Sequence, residues 1–248
     1  MSELPVLWHL KPSHYNEKAR WALDYKRIPH RRVNPPPGAH MLIALALTRR
    51  VATLPVLQLD GHAIGDSTRI IAALEERFPE PPLYPADPAE RARALELEEF
   101  FDATLGPEVR RLGFWEFLRA REFLNEHAAE LSAPRQAPLL RSPGFPVFVR
   151  VRYGVGERAA ARALLQIRAL THLIEELLEG GDHLVGDHFT VADLTAAALL
   201  APLLGPPGLP YRRPNVVLPA GEWVMRTYER YRGTSAEVDA ARPTAAVA

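Results

Sequence analysis

Two short stretches hold the residue types best suited to binding a small molecule. Leu54 and Pro55 stand directly before the apolar residues of a predicted strand, and Asp66 and Ser67 open a predicted helix soon after it. Because proline cannot donate a ladder hydrogen bond, it sits at a strand start or edge, where a cis bond turns the preceding backbone outward. Asp66 and Ser67 lie beside the unpaired N–H groups of a helix start. We predict half of a small-molecule site here, with the other half beginning at Ser13.

The elements that must position these residues follow in the order β-α-β-α-β-β-α. Apolar residues at helical spacing and helix-forming composition define the helices, and short apolar runs define the strands. Asp60 and Gly61 are typical of a two-residue hairpin turn between the last two strands. The predicted strands cover residues 5–10, 30–33, 54–59 and 62–64, and the predicted helices cover residues 13–27, 41–47 and 66–78.

A proline-dense stretch at residues 79–85 predicts a linker, because it is too rich in proline for helix or strand. Asp87 and Pro88 then form a strong helix start. Everything beyond has helical character, and we expect Gly106 and Pro107 to break or kink the first long helix. The predicted helices cover residues 87–105, 108–131 and 157–179, a buried helix from 190 and a last helix at 222–232, with an irregular loop at 132–146. The predicted division is a domain at 1–80, a linker at 81–88, an all-helical domain at 89–232 and a loosely held tail at 233–248.

The bulk composition excludes several classes of protein. Lys plus Arg and Asp plus Glu are equal at 30 each, so no basic excess predicts a nucleic-acid or anionic-membrane partner. The chain has no cysteine, which excludes disulfides, thiolate metal sites and a cysteine nucleophile. No signal peptide is recognised, and the longest apolar stretch, residues 196–204, is too short to span a membrane. We therefore expect a cytoplasmic protein, and we interpret His183 and His188, with their neighbouring aspartates, as a polar loop rather than a metal site.

Four motifs in register resemble the cytosolic glutathione transferase superfamily, and the sequence is most similar to its serine-type bacterial members. The resemblance covers most of the chain, and its weakest stretches are residues 35–50 and the loop from Ser132. It implies a thioredoxin-like α/β domain that binds glutathione, followed by an all-α domain that supplies the pocket for an electrophile, in an enzyme used for detoxification. The motifs are residues 13–23 (SHYNEKARWAL), 54–57 (LPVL), 66–71 (DSTRII), and the pair 184–187 (LVGD) and 189–194 (FTVADL).

The resemblance assigns the chemistry to the start of the first helix. Serine-type members carry there the hydroxyl that hydrogen-bonds the glutathione thiolate, and Ser13 occupies that position. Read from the residues alone, Ser13 is first of all a helix N-cap, which serine does well. Tyr15 and Asn16 are alternatives for the same catalytic task. Thr190 and Asp193 are interpreted as a buried capping box without a catalytic role.

The resemblance also implies a set of binding residues. The Leu54 backbone would pair with the peptide part of glutathione across a cis Pro55, and Asp66 and Ser67 would hold the γ-glutamyl end. Arg50 would meet the glycyl carboxylate, although Arg49, His40 or simple solvation of the arginines remain open. Three aromatic residues are predicted to line the electrophile pocket, although aromatic residues at helical spacing are also common in cores: Phe101, Phe114 and Trp115.

The leading hypothesis from the sequence is a glutathione-dependent enzyme that acts on a hydrophobic electrophile by transfer, isomerisation or dehalogenation, without a metal. The family's arrangement implies a homodimer. A binding or interaction protein that keeps the fold without the chemistry is the alternative, since fold alone does not fix function. A related low-molecular-weight thiol in place of glutathione is a third possibility.

Overall fold

A four-stranded mixed β-sheet forms the N-terminal part of the chain. The computed structural model describes residues 3–36, 38–119, 142–210 and 216–238. The strands lie in the order β2-β1-β3-β4, with β1 parallel to β2 and antiparallel to β3, which pairs antiparallel with β4. Asp60 and Gly61 join β3 to β4 with φ of 47° and 79°, the two positive values that a type I′ turn requires. The strands are β1 Val6–Trp8, β2 Arg31–Val33, β3 Val56–Leu59 and β4 His62–Gly65.

Three helices accompany the sheet and complete the predicted order, which is confirmed. The first begins one residue after Ser13 and is buried along almost its whole length. The third has its apolar residues Ile70, Ile71 and Leu74 completely buried against the sheet. The helices are α1 His14–Tyr25, α2 Ala39–Thr48 and α3 Ser67–Arg77.

The helix after the linker does not break where its sequence predicts. α4 runs through Gly106 and Pro107 as one helix, Pro88–Arg119, so the predicted end at residue 105 is wrong. Proline removes one helical hydrogen bond, at a cost of about 3 kcal/mol in a helix interior. The helix continues because both sides of the proline are packed, with Phe101, Leu105, Val109 and Leu112 buried in the core. The predicted continuation over residues 120–131 lies outside the described residues.

Part of the predicted proline-rich loop is helical. α5, Gly144–Tyr153, begins inside the region expected to be irregular, so the loop prediction is wrong over residues 144–146. Pro143 is the N-cap and Pro146 lies in the first turn, where a helical N–H has no partner inside the helix anyway. The prolines therefore start this helix and do not prevent it. Residues 132–141 lie outside the described residues.

The remaining described helices are α6 Glu157–Leu178, α7 Val191–Leu204 and α8 Gly221–Tyr231. α7 is buried on nearly every face, as predicted. Its predicted capping box is confirmed: the Thr190 hydroxyl accepts from the backbone of Ala192, and the Asp193 carboxylate accepts from the backbone of Thr190. Leu7, Leu57 and Leu59 of the sheet form one continuous cluster with the buried apolar residues of α4, α6 and α7. Val56 of β3 belongs to a second, smaller cluster with Ala44 and Leu54.

The end of the described chain returns to the sheet. The predicted loosely held tail is instead bonded over residues 236–238, where the backbone N–H of Val238 donates to the carbonyl of His30 at 2.8 Å. Arg232, just after α8, forms ion pairs with Glu17 and Asp24 on α1, each at 2.6 Å. Residues 239–248 lie outside the described residues. No described helix is long and apolar enough to cross a membrane.

Candidate functional site

The completely buried side chain of Asn16 joins the first helix to the loop that contains Pro55. Its amide nitrogen donates to Ser13 Oγ at 2.6 Å and to the Leu54 carbonyl at 3.1 Å. Its amide oxygen accepts from the backbone N–H of Leu10 at 3.1 Å. Asn16 therefore has a partner for both ends of its side chain and is fixed in one orientation. Leu54 and Pro55, joined by a cis peptide bond, are called the cis-proline loop below.

Ser13 is the N-cap of α1, but its hydroxyl makes no capping hydrogen bond to the helix. The Ser13 oxygen accepts instead from Asn16. A hydroxyl that accepts one hydrogen bond still has its own proton to donate. Ser13 is partly exposed, so its hydroxyl proton is available to a bound group beside the N-terminus of α1.

The cis-proline loop is tied in turn to the start of α3. The backbone N–H of Asp66 donates to the Pro55 carbonyl at 3.3 Å. One Asp66 carboxylate oxygen caps α3 by accepting from Thr68 and Arg69, at 3.0 and 3.2 Å. The Asp66 residue is exposed, and its second carboxylate oxygen has no hydrogen-bond partner among the described residues. Hydrogen bonds on either side of the Leu54–Pro55 peptide bond thus connect Ser13 to Asp66.

Ser67 and Arg50 differ in how they could meet a ligand. Ser67 is buried, with 3% of its surface exposed, and opens α3 beside the exposed Asp66. Arg50 is exposed on the loop after α2, and only its backbone has a described hydrogen bond, to Thr48. The Arg50 side chain is therefore not held in a fixed position by the described residues.

Tyr15 faces α4 and is held there. Its hydroxyl donates to the Asp102 carbonyl at 2.8 Å, and burial, helped by the charge of Asp102, raises its pKa to about 12. Tyr15 is therefore a neutral phenol near pH 7. The ring packs over Gly106, where a Cβ atom would lie 2.1 Å from the tyrosine oxygen. Only glycine leaves room for Tyr15 at this contact.

His14 lies beside Tyr15, with ring centroids 4.5 Å apart, and is almost completely buried. Burial and the charge of Arg110 lower its pKa to about 3, so the imidazole is neutral near pH 7. Its Nε2 atom has no described hydrogen-bond partner. The start of α1 therefore presents neutral side chains to α4.

The three predicted pocket aromatics have different surroundings. Phe101 is completely buried and belongs to the main apolar core. Phe114 is partly exposed and stacks on Tyr153 of α5, with centroids 4.8 Å apart. Trp115 is also partly exposed, with the Arg119 guanidinium 5.9 Å from its ring. Phe114 and Trp115 are thus able to contact a bound molecule, whereas Phe101 has no exposed surface.

Known proteins resemble this chain in the sequence of its N-terminal domain and in its overall fold. The N-terminal domain of glutathione S-transferase matches residues 7–82, which contain Ser13, the cis-proline loop and Asp66. A glutathione S-transferase from Rhodospirillum rubrum superposes with a TM-score of 0.64 at 25% identity, over 92% of this chain and 90% of that one. The chain therefore contains a glutathione S-transferase N-terminal domain, and its overall fold is that of the glutathione transferases.

Curated proteins that are similar to this chain have two kinds of name. A probable maleylacetoacetate isomerase 1 from Drosophila melanogaster is 32% identical over 42% of this chain and 44% of its own length. FtsZ-localized protein A from Caulobacter vibrioides is 32% identical over 59% of this chain and 54% of its own length. This chain spans about half the length of the curated relatives it matches.

Sequence reasoning missed a buried charged cluster around Lys18 of α1. Lys18 is completely buried and forms ion pairs with Glu98 at 2.7 Å and Asp102 at 2.5 Å on α4, and it donates to the Thr68 hydroxyl at 2.9 Å. Burial raises the pKa of Glu98 above its ordinary value, although the Lys18 charge opposes this. The cluster fixes α1 against α3 and α4. The sequence did carry a signal of this cluster: α1 has charged residues on every face, which is unusual for a helix packed against a sheet.

No group of three or more His, Cys, Asp or Glu side chains is placed to hold a metal ion within the described ranges.

Proposed function

We propose that this protein binds glutathione between the N-terminus of α1, the cis-proline loop and the start of α3, stabilises its thiolate and directs it at an electrophilic small molecule. The observation that carries the proposal is the hydrogen bond from Asn16 to Ser13, which leaves the Ser13 proton free for a donor bond. A thiolate is an acceptor without a proton of its own. Ser13 is therefore the donor in this proposal.

The energies are sufficient for the proposed role. A free thiol has a pKa near 8.5, so only about 3% is thiolate at pH 7. A charge-assisted hydrogen bond contributes roughly 1.5–3 kcal/mol. Since one pKa unit corresponds to about 1.36 kcal/mol, the bound thiol would have a pKa lowered by about one to two units. Much of the bound glutathione would then be nucleophilic near neutral pH.

The remaining polar groups suit the other parts of glutathione. The exposed oxygen of Asp66 would face the γ-glutamyl ammonium, and Ser67 with the α3 N-terminus would meet the γ-glutamyl carboxylate. The Leu54 backbone would pair with the cysteinyl part. Arg50 would reach the glycyl carboxylate only if glutathione orders its exposed side chain.

The experiment is a titration with glutathione. Calorimetry measures its binding, and ultraviolet absorbance measures the fraction of thiolate. We expect glutathione to bind and its bound thiol to have a pKa below that of free glutathione. In Ser13→Ala the pKa of the bound thiol should rise by about one to two units. Ser235→Ala, at an exposed serine near the C-terminal end of the described chain whose hydroxyl accepts from the Glu237 backbone, is the matched control. Absence of binding at millimolar glutathione overturns the proposal, and repeating the titration with another low-molecular-weight thiol tests that alternative.

A second candidate function is an interaction protein without thiol chemistry. It is favoured by the match to FtsZ-localized protein A, which covers more of this chain than the Drosophila isomerase match does. Co-sedimentation with polymerised FtsZ, in the presence and absence of glutathione, separates the two functions. Binding to the polymer without any binding of glutathione supports the second candidate.

A homodimer and a cytoplasmic location belong to the leading proposal. Sedimentation equilibrium with and without glutathione tests the dimer: a mass near twice 27.7 kDa is expected. If the protein is monomeric but still binds glutathione and ionises its thiol, the proposed dimer is wrong and the proposed thiol chemistry stands.

A further inference from the structure

The turn that precedes α1 is short and mostly exposed. The backbone N–H of Ser13 donates to the Leu10 carbonyl at 3.2 Å, which closes a turn over residues 10–13, called the serine turn below. Its two central residues, Lys11 and Pro12, are exposed, so core packing does not fix them. The position of this turn therefore depends on its hydrogen bonds, and the same position decides where the Ser13 hydroxyl lies.

Arg20 of α1 binds two carbonyls of the serine turn. Its Nη2 atom donates to the Lys11 carbonyl at 3.1 Å, and its Nη1 atom donates to the Leu10 carbonyl at 3.2 Å and to His9 Nδ1 at 2.8 Å. The side chain is almost completely buried. Because a guanidinium is a rigid planar fork of donors, this one side chain holds several acceptors in fixed directions at once.

His9 accepts this bond because its imidazole is neutral. Burial and the charge of Arg20 lower the pKa of His9 to about 2. A guanidinium only donates, so Nδ1 is the acceptor and the imidazole proton is on Nε2. His9 follows β1 directly, and its backbone N–H donates to the Val33 carbonyl of β2 at 2.9 Å. Arg20 thus attaches the serine turn to the end of the sheet.

Two further charged side chains fix the orientation of Arg20. Its Nε atom donates to one Glu17 oxygen at 2.7 Å, and the other Glu17 oxygen accepts from Arg232 at 2.6 Å. Burial alone would raise the pKa of the completely buried Glu17, but the two arginines lower it, so Glu17 is a carboxylate near pH 7. A chain of ion pairs therefore leads from Arg232, just after α8, to the serine turn.

Asn16 holds the serine turn from its other side. The Leu10 backbone N–H donates to the Asn16 amide oxygen at 3.1 Å, while the Leu10 carbonyl accepts from Arg20. Both peptide groups of Leu10 are fixed by side chains of α1. Among the described residues, Arg20 has no hydrogen bond to Ser13 itself, so its effect on the Ser13 hydroxyl passes through the backbone of the turn.

We propose that Arg20 is a positioning residue for the Ser13 hydroxyl, and that Arg232 acts on the serine turn through Glu17 and Arg20. The effect on a bound thiol rests on the proposed function, whereas the fixation of the turn is a property of the free protein. Loss of the guanidinium fork lets the turn move and weakens the hydrogen bond from Ser13 to the thiolate, because that bond depends on the placement of its donor.

Arg20→Lys tests the fork without removing the positive charge. One ammonium cannot reach both carbonyls, His9 and Glu17 together. We expect the pKa of the bound glutathione thiol to rise by about one unit, which is a tenfold lower ratio of thiolate to thiol. The rise should be clearly smaller when the same substitution is made in Ser13→Ala. The measurement is the thiolate absorbance across pH, and equal rises in both backgrounds overturn the proposal.

Arg32→Lys is the matched control for damage to the buried charges. Arg32 donates to both oxygens of the completely buried Asp24 at 2.7 and 2.6 Å, and none of its described hydrogen bonds goes to the serine turn. Thermal unfolding should show a loss of stability like that of Arg20→Lys, while the thiol pKa should stay within about 0.3 units of wild type. Equal pKa shifts in Arg20→Lys and Arg32→Lys overturn the positioning role.

Arg232→Lys tests the path from the end of α8. It keeps the charge and loses the fork that pairs Glu17, so we expect a smaller rise in the thiol pKa than in Arg20→Lys. In an Arg20→Lys background, Arg232→Lys should cause no further rise, because the path is already interrupted. An equal rise in the presence and absence of Arg20 overturns action through Arg20.

Amide hydrogen exchange of the free protein separates failure of the positioning from failure of the thiol chemistry. Relative to the slowest core amides, the Leu10 and Ser13 amides should exchange about tenfold faster in Arg20→Lys and at the wild-type rate in Arg32→Lys. If glutathione does not bind but this difference is found, the fixation of the turn stands and the thiol chemistry fails. Equal exchange in Arg20→Lys and wild type overturns the proposal.

A second variant covers the case in which Arg20→Lys does not fold. Glu17→Gln keeps the size of the side chain and removes the charge that orients Arg20. The Leu10 and Ser13 amides should again exchange faster than in wild type, relative to the slowest core amides. Unchanged exchange in folded Glu17→Gln overturns the proposal.

Discussion

The Asn16 side-chain amide donates to Ser13 Oγ at 2.6 Å, although both residues lie in the same first turn of α1, where serine ordinarily caps the helix. The direction of this bond is fixed because the other end of Asn16 accepts from Leu10. Asn16 also binds the Leu54 carbonyl, 38 positions away in the chain. One buried amide therefore orients the proposed thiolate donor and attaches it to the cis-proline loop.

Asn16→Asp reverses this bond with little change in size. The introduced carboxylate only accepts, so it draws the Ser13 proton away from the thiol, and the bound thiol pKa should rise by about one unit. The new charge also raises that pKa directly, and it does so with or without Ser13. We therefore expect a clearly smaller rise when the same substitution is made in Ser13→Ala. The measurement is the thiolate absorbance across pH in all four proteins.

Equal rises in both backgrounds would contradict the role of Asn16 as the positioning residue for Ser13. A purely structural role would lower the unfolding free energy of both Asn16→Asp proteins and leave no coupling between the two substitutions in the thiol pKa.

Asp66→Asn separates capping from ligand binding. Asparagine caps helices as well as aspartate does, so the unfolding free energy should change by less than about 0.5 kcal/mol. Loss of the charge facing the ammonium should weaken glutathione binding about tenfold, measured by calorimetry. Asp87→Asn, at the capping aspartate of α4, is the control and should leave affinity unchanged. Unchanged affinity for glutathione in Asp66→Asn would mean that Asp66 caps α3 and does not bind the ligand.

Gly106→Ala tests the contact between α4 and Tyr15. The added methyl group would lie 2.1 Å from the Tyr15 oxygen and 2.6 Å from its ring carbon, so we expect a loss of about 1–3 kcal/mol in chemical denaturation. Gly113→Ala on the same helix is the matched control, because its nearest described neighbour is Pro202 at 4.0 Å. It should stabilise the protein by up to about 1 kcal/mol through helix propensity. Similar effects of the two changes would mean that Tyr15 moves aside freely.

Arg232→Gln tests the ion pairs between α8 and α1. Burial alone would raise the pKa of Glu17 and Asp24, but their arginine partners lower both below the ordinary values of 4.5 and 3.8. A carboxylate with a lowered folded-state pKa stabilises the protein above its unfolded-state pKa, and this contribution is lost as pH falls through the folded-state value. We therefore expect wild type to lose stability as pH drops below about 4.5, and the variant to lose less over that range.

At pH 7, removal of Arg232 leaves two buried carboxylates with fewer partners and should cost about 3–5 kcal/mol in urea unfolding. Arg230→Gln, whose partner Asp182 is well exposed, is the control and should cost less than about 1 kcal/mol. Parallel stability curves against pH for wild type and Arg232→Gln would show that the pKa values of Glu17 and Asp24 do not depend on Arg232.

The sequence determined the order of the elements up to the start of α4, and the places where several elements start, because those signals act on the nearest backbone. The turn at Asp60 and Gly61, the cap at Asp66 and the capping box of Thr190 and Asp193 each join residues at most three positions apart. Local hydrogen bonding and φ preference decide such features, and they were predicted correctly. The assignment of residues to the small-molecule site rests on the family resemblance and stays a prediction.

Tertiary structure alone decided which of those residues meet. Continuation of α4 through Pro107 depends on core packing on both sides of it, and the helix that begins at Gly144 depends on the position of its prolines in the first turn. Lys18 is buried because Asp102, 84 positions away, supplies the opposite charge, and Arg232 reaches Asp24 across 208 positions. Arg110 and Arg152 converge on Tyr153 only because α5 packs against α4. The strength of a buried charge or hydrogen bond depends on partners brought together by folding, and their spacing in the chain does not predict them.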